Sequence, residues 1–162
     1  MIVSKEFFSI EEFKNRWAKV RSSMKSSNIE LLMVISPTNI NYLIGTPAKG
    51  YQEFEALLFP IDSDPMIMMT RRSEVEMMND YSLADEVYGW GGQEPEDPID
   101  ALYKLMSEKN LLNKKIGIEV PYYYLHPFEY KKLSEMLGKS IVHISTNLIG
   151  EIKLLKSETE LN

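Results

Sequence analysis

Few side chains in this sequence combine the types and spacing that metal binding or catalysis requires. The chain has two histidines, His126 and His143, and no cysteine. Neither histidine has a second histidine or a flanking glutamate at the spacing that places two ligands on one helix face. His143 lies between two β-branched residues, which favours a packed position in a strand, while His126 precedes a proline and suits a helix cap as well as a functional group. We therefore expect no metal site and no catalytic residue here.

The acidic residues near position 97 offer a second possible chemistry. Glu94, Glu96, Asp97 and Asp100 lie close enough in sequence for paired carboxylates to act as acid and base. They also suit the start of a helix, where negative side chains complement the helix dipole, and Asp97 directly precedes a proline as an N-cap does. The helix interpretation is favoured. The glycine-rich segment 89–92 lacks the Lys-Ser/Thr of a phosphate-binding loop.

Two loops are the best candidates for ligand binding. Residues 36–46 follow an apolar run, 31–35, that has the pattern of a buried strand, and loops at the carboxyl ends of such strands commonly bind ligands. The alternative is a turn shaped by Pro37 and the two asparagines after it. Residues 49–54 are polar and aromatic, which suits a binding loop as well as an ordinary surface loop.

Hydrophobic periodicity predicts alternating helices and strands. Ser9 and Glu12 have the capping-box spacing, with Phe8 and Phe13 at the positions of a hydrophobic staple, so a helix begins there. Further apolar runs and turn signals predict strands at 31–35, 56–59, 66–69, 86–88, 116–120 and 141–144, and helices at 73–81, from 98, from 127 to 138 and at 148–155. This order predicts an α/β fold with a mixed sheet of about six strands covered by helices.

Length and composition restrict the class of protein. At 162 residues the chain fits one domain with one core, which the methionines at 66, 68, 69, 77 and 78 are predicted to help fill. Its net charge of -6 disfavours nucleic acid as a partner, because affinity for phosphate backbones comes from Lys and Arg. No apolar run approaches the roughly 20 residues of a membrane-spanning helix. We expect a cytoplasmic protein with no membrane role, and the lack of cysteine suits a reducing compartment.

The end of the chain carries a second helix-start signal. Ser157 and Glu160 have the capping-box spacing, and only Leu161 and Asn162 follow. Two residues cannot offset the cost of nucleating a helix, so the pattern indicates either a chance match in a polar tail or a helix that continues in a longer protein. We expect the second, with one domain over residues 1–147 and a linker helix into a further domain over 148–162.

Five segments, taken in order, carry a family resemblance: residues 16–28, 29–34, 39–45, 116–119 and 149–161. Together they resemble the N-terminal domain of the creatinase, prolidase and aminopeptidase P family. Each motif is weak alone, but their order and spacing are specific and cover nearly the whole chain. The resemblance implies a mixed sheet of ribonuclease H-like type. It also implies that the Lys-Ser-x-x-Glu segment at 156–160 is the junction into a catalytic domain.

The catalytic domain of that family has a pita-bread fold and holds two divalent metal ions, such as Mn, Co or Zn, on Asp, Asp, His, Glu and Glu. The resemblance implies that this chain contains none of those ligands. It would be the non-catalytic domain of a metallohydrolase, most often one that cleaves Xaa-Pro bonds. Its implied roles are to wall the active-site cleft, select substrates by length and help form a homodimer, sometimes reaching the partner subunit's site. Its implied partners are its own C-terminal catalytic domain, a second copy and a peptide or small amide substrate.

Creatinase-like enzymes are an alternative, because they are similar in fold but hydrolyse a C–N bond in a small guanidino compound. Their N-terminal domain contributes an aromatic residue and an arginine from the loop before the second strand, where this chain has Tyr51 and Glu53 but no arginine. The missing cation disfavours creatine, whose carboxylate it would hold, and leaves open another small amide, as in an ectoine hydrolase. A third alternative is a stand-alone α/β binding or dimerisation module.

The resemblance also selects site residues. The substrate-facing candidates are Tyr51, Gln52, Glu53 and Phe54. The residues expected to shape the preceding loop are Asn39, Asn41, Tyr42 and Gly45.

Overall fold

A computed structural model of the protein describes residues 7–46, 53–145 and 148–161. The strands are β1 (Leu31–Val34), β2 (Ala56–Pro60), β3 (Ile67–Arg71), β4 (Glu86–Trp90), β5 (Ile116–Glu119) and β6 (Ile141–Ser145). The helices are α1 (Ile10–Ser26), α2 (Pro37–Ile44), α3 (Val75–Tyr81), α4 (Pro98–Glu108), α5 (Pro127–Leu137), α6 (Leu148–Leu154) and α7 (Glu158–Leu161). Short 3-10 turns at Arg72–Glu74 and Gly138–Ser140 follow β3 and precede β6.

The strands form one six-stranded mixed sheet, as the sequence predicts, and the structure gives their order as β4-β3-β2-β1-β5-β6. β2 is antiparallel to both of its neighbours, and the other strands share one direction. The carboxyl ends of β1, β3, β4, β5 and β6 therefore meet at one edge of the sheet, where β2 begins. We call this the carboxyl edge, and residues 53–55 lead into β2 there.

Helices cover both faces of the sheet, which explains the unbroken apolar runs of β1 and β2. On one face, α4 and α5 pack through Leu102, Leu105 and Leu133. On the other face, α1, α2, α3 and α6 pack on alternate residues of the same strands. The predicted core methionines at 66, 68, 69 and 78 are buried and Met77 is half-buried.

The segment 36–46 contains a helix where the sequence analysis expected a loop or turn. α2 begins with Pro37 at its first turn and ends at Gly45, whose φ of 70° is left-handed and whose N–H donates to the Asn41 carbonyl at 2.8 Å. Ile40, Leu43 and Ile44 have helical spacing and are fully buried. Burial of this face outweighs the loop preference of the asparagines, because tertiary packing supplies most of a short helix's stability.

Several predicted helix ends are confirmed. Asp97 caps α4 by accepting the N–H groups of Ile99 and Asp100. His126 caps α5 by accepting the N–H of Phe128, so this histidine has a structural position. Gly138 ends α5, as the predicted bounds have it, with a φ of 48° and a ψ of -118°.

The acidic residues before α4 bind neighbouring groups of the fold. Asp97 and Asp100 both form ion pairs with Lys132 of α5, at 2.9 and 2.7 Å. Glu96 accepts the N–H of Gly91 at 2.6 Å. These contacts support the helix interpretation over acid-base chemistry.

Candidate functional site

The carboxyl edge of the sheet holds the described members of the predicted substrate-facing group. Tyr51 and Gln52 lie outside the described residues. Glu53 is exposed, whereas Phe54 is 3% exposed and packs in the core beneath the edge. The Phe54 carbonyl also accepts the indole N–H of Trp90 at 2.9 Å. This placement favours a structural role for Phe54, and among the described candidates it leaves Glu53 as the one at the surface.

Arg71 provides a cation at the position where the sequence analysis found none. Its Nη1 lies 2.6 Å from the Glu53 carboxylate, and its guanidinium lies 5.3 Å from the ring centroid of the buried Trp90. The sequence signal was the hairpin: β2 pairs with β3 so that Ala56 lies opposite Met69, and extending this register brings residue 53 beside the end of β3. The arginine lies on the facing strand β3 and not in the loop sequence itself, so the loop alone does not predict it.

A buried carboxylate joins the two central parallel strands at the same edge. Glu119, at the end of β5, is 2% exposed and accepts the N–H groups of Ile35 and Ser36, each at 2.9 Å. It also accepts the side-chain amide of Asn39. Burial raises the pKa of the Glu119 carboxyl, and these three donors act in the opposite direction.

Asn39 connects this carboxylate to the C-terminal part of the chain. Its side-chain oxygen accepts a hydrogen bond from Lys153 of α6 at 3.1 Å. The Lys153 ammonium also lies 5.7 Å from the ring centroid of Tyr42, and burial lowers its pKa. Asn39 and Tyr42 thus lie where α2 meets α6. Asn41 instead binds the carbonyl of Thr46 through its side chain.

A buried arginine links the first helix to the last described turn of the chain. Arg16 is 3% exposed, and its Nε donates to Glu12 at 3.2 Å while its Nη1 donates to the Tyr42 carbonyl at 3.2 Å. Its Nη2 lies 3.1 Å from the Glu160 carboxylate. Ser157 completes the arrangement by donating its hydroxyl to Glu12 at 2.9 Å. We call Glu12, Arg16, Ser157 and Glu160 the exit clamp.

The predicted capping box at 157–160 forms within the exit clamp. The Ser157 hydroxyl accepts the N–H of Glu160 at 3.2 Å, and the Glu160 carboxylate accepts the N–H of Ser157 at 3.0 Å. Three aromatic rings surround the guanidinium of Arg16: Phe8, Tyr42 and Phe13 have centroids at 4.1, 4.5 and 5.1 Å. Apolar neighbours exclude water and strengthen the ion pairs inside.

Glu119 makes the stability of the fold depend on pH. Because its folded-state pKa lies above the ordinary value of 4.5, the native state binds more protons than the unfolded chain between those two values. Stability from this group is therefore complete below pH 4.5 and falls as pH rises through the raised pKa. We expect the stability of the wild type, relative to Glu119→Gln, to fall over this window in urea unfolding at successive pH values. A difference that rises with pH would contradict the assignment.

These groups bind one another and leave little for chemistry on a substrate. Within residues 7–46, 53–145 and 148–161, no group of three or more His, Cys, Asp or Glu side chains is arranged to hold a metal ion. No helix in the same ranges is long and apolar enough to cross a membrane. The hydrogen bonds and ion pairs described above instead fix the carboxyl edge and the C-terminal segment at the exit clamp in position.

Comparison with known proteins identifies the class. The sequence model described as the creatinase/prolidase N-terminal domain matches residues 16–152, and the chain belongs to this family. The fold agrees: the N-terminal domain of an X-Pro dipeptidase from Streptococcus pyogenes has a TM-score of 0.66 at 17% identity, covering 87% of this chain and 98% of that one. A dipeptidase from Mycobacterium ulcerans has a TM-score of 0.69 at 18% identity, covering 95% and 40%.

Curated relatives are longer than this chain. An uncharacterized hydrolase/peptidase from Sinorhizobium fredii is 26% identical over 160 residues, which are 95% of this chain and 41% of the relative. The ectoine hydrolase of Halomonas elongata is 22% identical over 161 residues, 95% of this chain and 40% of that enzyme. The chain thus spans about two fifths of the length of these relatives.

Proposed function

We propose that this chain is the non-catalytic N-terminal domain of a cytoplasmic Xaa-Pro dipeptidase or aminopeptidase. One observation carries the proposal: the family's N-terminal domain matches residues 16–152, while the aligned hydrolase/peptidase relative is more than twice as long. The domain walls the active-site cleft of a following catalytic domain, selects substrates by size and contributes to a homodimer. Two divalent metal ions bind in that following domain, where they supply the hydrolytic chemistry.

The carboxyl edge is the part of this domain that we place toward the cleft. Glu53 and Arg71 present a carboxylate and a guanidinium there, both about two fifths exposed. Trp90 and Phe54 lie beneath them in the core, and the hydrogen bond between these two residues fixes the chain where it enters β2. Such an edge presents fixed charges to a substrate without reacting with it.

A second candidate is a C–N hydrolase of a small amide. The match to an ectoine hydrolase supports it, and so does the proximity of Arg71 to Glu53, which supplies the cation that the loop sequence lacks. Arg71 is held by Glu53 in this structure, so its charge is largely engaged. The peptidase proposal therefore comes first.

Substrate assays on the full-length protein, supplied with divalent metal, separate the two candidates. We expect cleavage of an Xaa-Pro dipeptide and none of ectoine. The 162-residue chain, assayed beside it, should cleave neither and bind no stoichiometric metal. Cleavage of ectoine alone would transfer the proposal to the second candidate, and about one or more tightly bound metal ions per 162-residue chain would contradict a non-catalytic domain.

Variants at the edge test whether it meets the substrate. We expect Tyr51→Ala and Glu53→Ala in the full-length enzyme to lower kcat/KM by about tenfold or more, equivalent to losing about 1.4 kcal/mol of transition-state stabilisation. Glu86→Ala is a matched control, since Glu86 is also a partly exposed glutamate paired with a cation, Lys109, at the start of β4. Unchanged kinetics in both edge variants would remove these residues from the site.

A further inference from the structure

We propose that the exit clamp is a positioning device: Arg16 fixes the direction in which the chain leaves this domain, and so sets how the following domain of the same polypeptide is oriented. The inference rests on the proposed function, since it requires that a further domain follows. Arg16 is a positioning residue and not a catalytic one. It acts by holding Glu160 and, through Glu12, Ser157.

The path of the C-terminal segment shows why a clamp is needed. α6 starts in the core, where Leu148 and Ile149 are buried, and Lys153 then binds Asn39. Residues 154–156 are exposed, and Ser157 and Glu160 then contact α1. A four-residue helix such as α7 has little stability of its own. Its position therefore depends on the contacts of Ser157 and Glu160 with α1.

The guanidinium is suited to this task because each of its three nitrogens has a different partner. Nε binds α1 through Glu12, Nη1 binds α2 through the Tyr42 carbonyl, and Nη2 binds α7 through Glu160. Three directed contacts from one rigid plane fix an orientation, whereas a lysine ammonium would supply a point charge. The clamp thus joins α1 and α2, near the start of the chain, to α7 at its other end.

Exposed leucines beside the clamp indicate what it positions. Leu154 and Leu155 precede it and Leu161 follows it, with exposures of 76, 79 and 73%. We assign the following domain of the same polypeptide as the cover of these side chains. The relatives support this occupant, because more than half of their length lies outside the aligned region and the matched family is an N-terminal domain.

A first experiment measures the clamp in the 162-residue chain. The isolated N-terminal domain from Streptococcus pyogenes, of which this chain covers 98%, shows that such a domain folds alone. A lysine-specific protease is used to cleave after Lys156, which is exposed and directly precedes the clamp. We expect Arg16→Gln to speed this cleavage about tenfold, because local opening becomes more frequent, and Arg16→Lys to have a smaller effect.

Arg21→Gln is the matched control for this experiment. Arg21 lies on the same helix, donates to the Pro60 carbonyl at 3.2 Å and lies 5.2 Å from the ring of Phe59, two partners that belong to β2 and not to the exit clamp. When each protein is assayed equally far from its own unfolding midpoint, Arg21→Gln should be cleaved after Lys156 at the same rate as the wild type. Glu160→Gln breaks the clamp from the other side and guards against a folding defect in the Arg16 variant. Unchanged cleavage in both clamp variants would overturn the inference.

A second experiment measures domain orientation in the full-length protein. This chain has no cysteine, so Lys131→Cys on α5 provides one spin-label site, and an exposed position of the following domain provides the other. Wild type and Arg21→Gln should give one narrow distance distribution, and Arg16→Gln and Glu160→Gln a broader or displaced one. An identical narrow distribution in the clamp variants would overturn the inference and leave the proposed function standing. A native polypeptide with no further domain would refute both.

Discussion

Replacing Arg16 by methionine should lower the free energy of unfolding of the 162-residue chain by about 3–5 kcal/mol, the loss typical of breaking a buried ion pair from one side. Glu12 and Glu160 would remain as mostly buried carboxylates without their cation, with side chains 10 and 11% exposed. The Tyr42 carbonyl would lose a donor, and three rings would lose a cation. Since domains are stable by only about 5–15 kcal/mol, this is a large fraction of the total.

Urea unfolding measures this loss through the transition midpoint, with Arg21→Met as the control. Arg21 has one hydrogen bond and one ring contact among its recorded interactions, so we expect that variant to lose only about 1 kcal/mol. Equal losses in the two variants would show that Arg16 contributes no more than the half-buried Arg21. The exit clamp would then add nothing to the free energy of unfolding beyond what Arg21 adds.

Replacing Glu119 by alanine is expected to cost about 3–5 kcal/mol. Three buried donors would lose their acceptor: the N–H groups of Ile35 and Ser36 and the amide of Asn39. Each unsatisfied donor costs about 1–3 kcal/mol, and relief from burying a charge offsets part of the sum. The loss also reaches Lys153, because Asn39 would no longer be fixed to receive its hydrogen bond.

Glu30→Ala is the matched comparison for this prediction. Glu30 also accepts a backbone N–H, that of Lys115 at 2.8 Å, but does so in an exposed position. Water can replace that acceptor, so we expect a loss below about 1 kcal/mol. The two urea midpoints should therefore differ clearly. If Glu119→Ala unfolds at the same midpoint as Glu30→Ala, the network at the carboxyl edge is not what holds α2 to the sheet.

Local signals explain why much of the fold is predictable from the sequence. The Ser9 N-cap, which accepts the Glu12 N–H, and the Asp97 cap involve residues within three positions of each other, and the hairpin of β2 and β3 has a turn between its strands. α2 was missed because Pro37 and the asparagines suggested a turn. The spacing of Ile40, Leu43 and Ile44 did indicate a helix, since three and four residues separate neighbours on one face.

The polar contacts of the site could not be predicted in the same way. Glu119 binds residues 80 or more positions away, and Glu12 binds Ser157 across 145 positions. Such pairs follow from the strand order, in which β1 lies beside β5, and from the return of the C-terminal segment to α1. Periodicity and capping rules carry no information on this order. The Arg71–Glu53 pair is easier to predict than these, because extending the register of the β2–β3 hairpin brings residue 53 beside the end of β3.

The measurement that tests the central claim most directly is the length of the native polypeptide, obtained from its coding frame beyond Asn162 and from the intact mass of the protein in cells. We predict a chain more than twice this length, with Asp, Asp, His, Glu and Glu in order in the added part. A chain that ends near Asn162 would contradict it, and the protein would then be a stand-alone binding or dimerisation module.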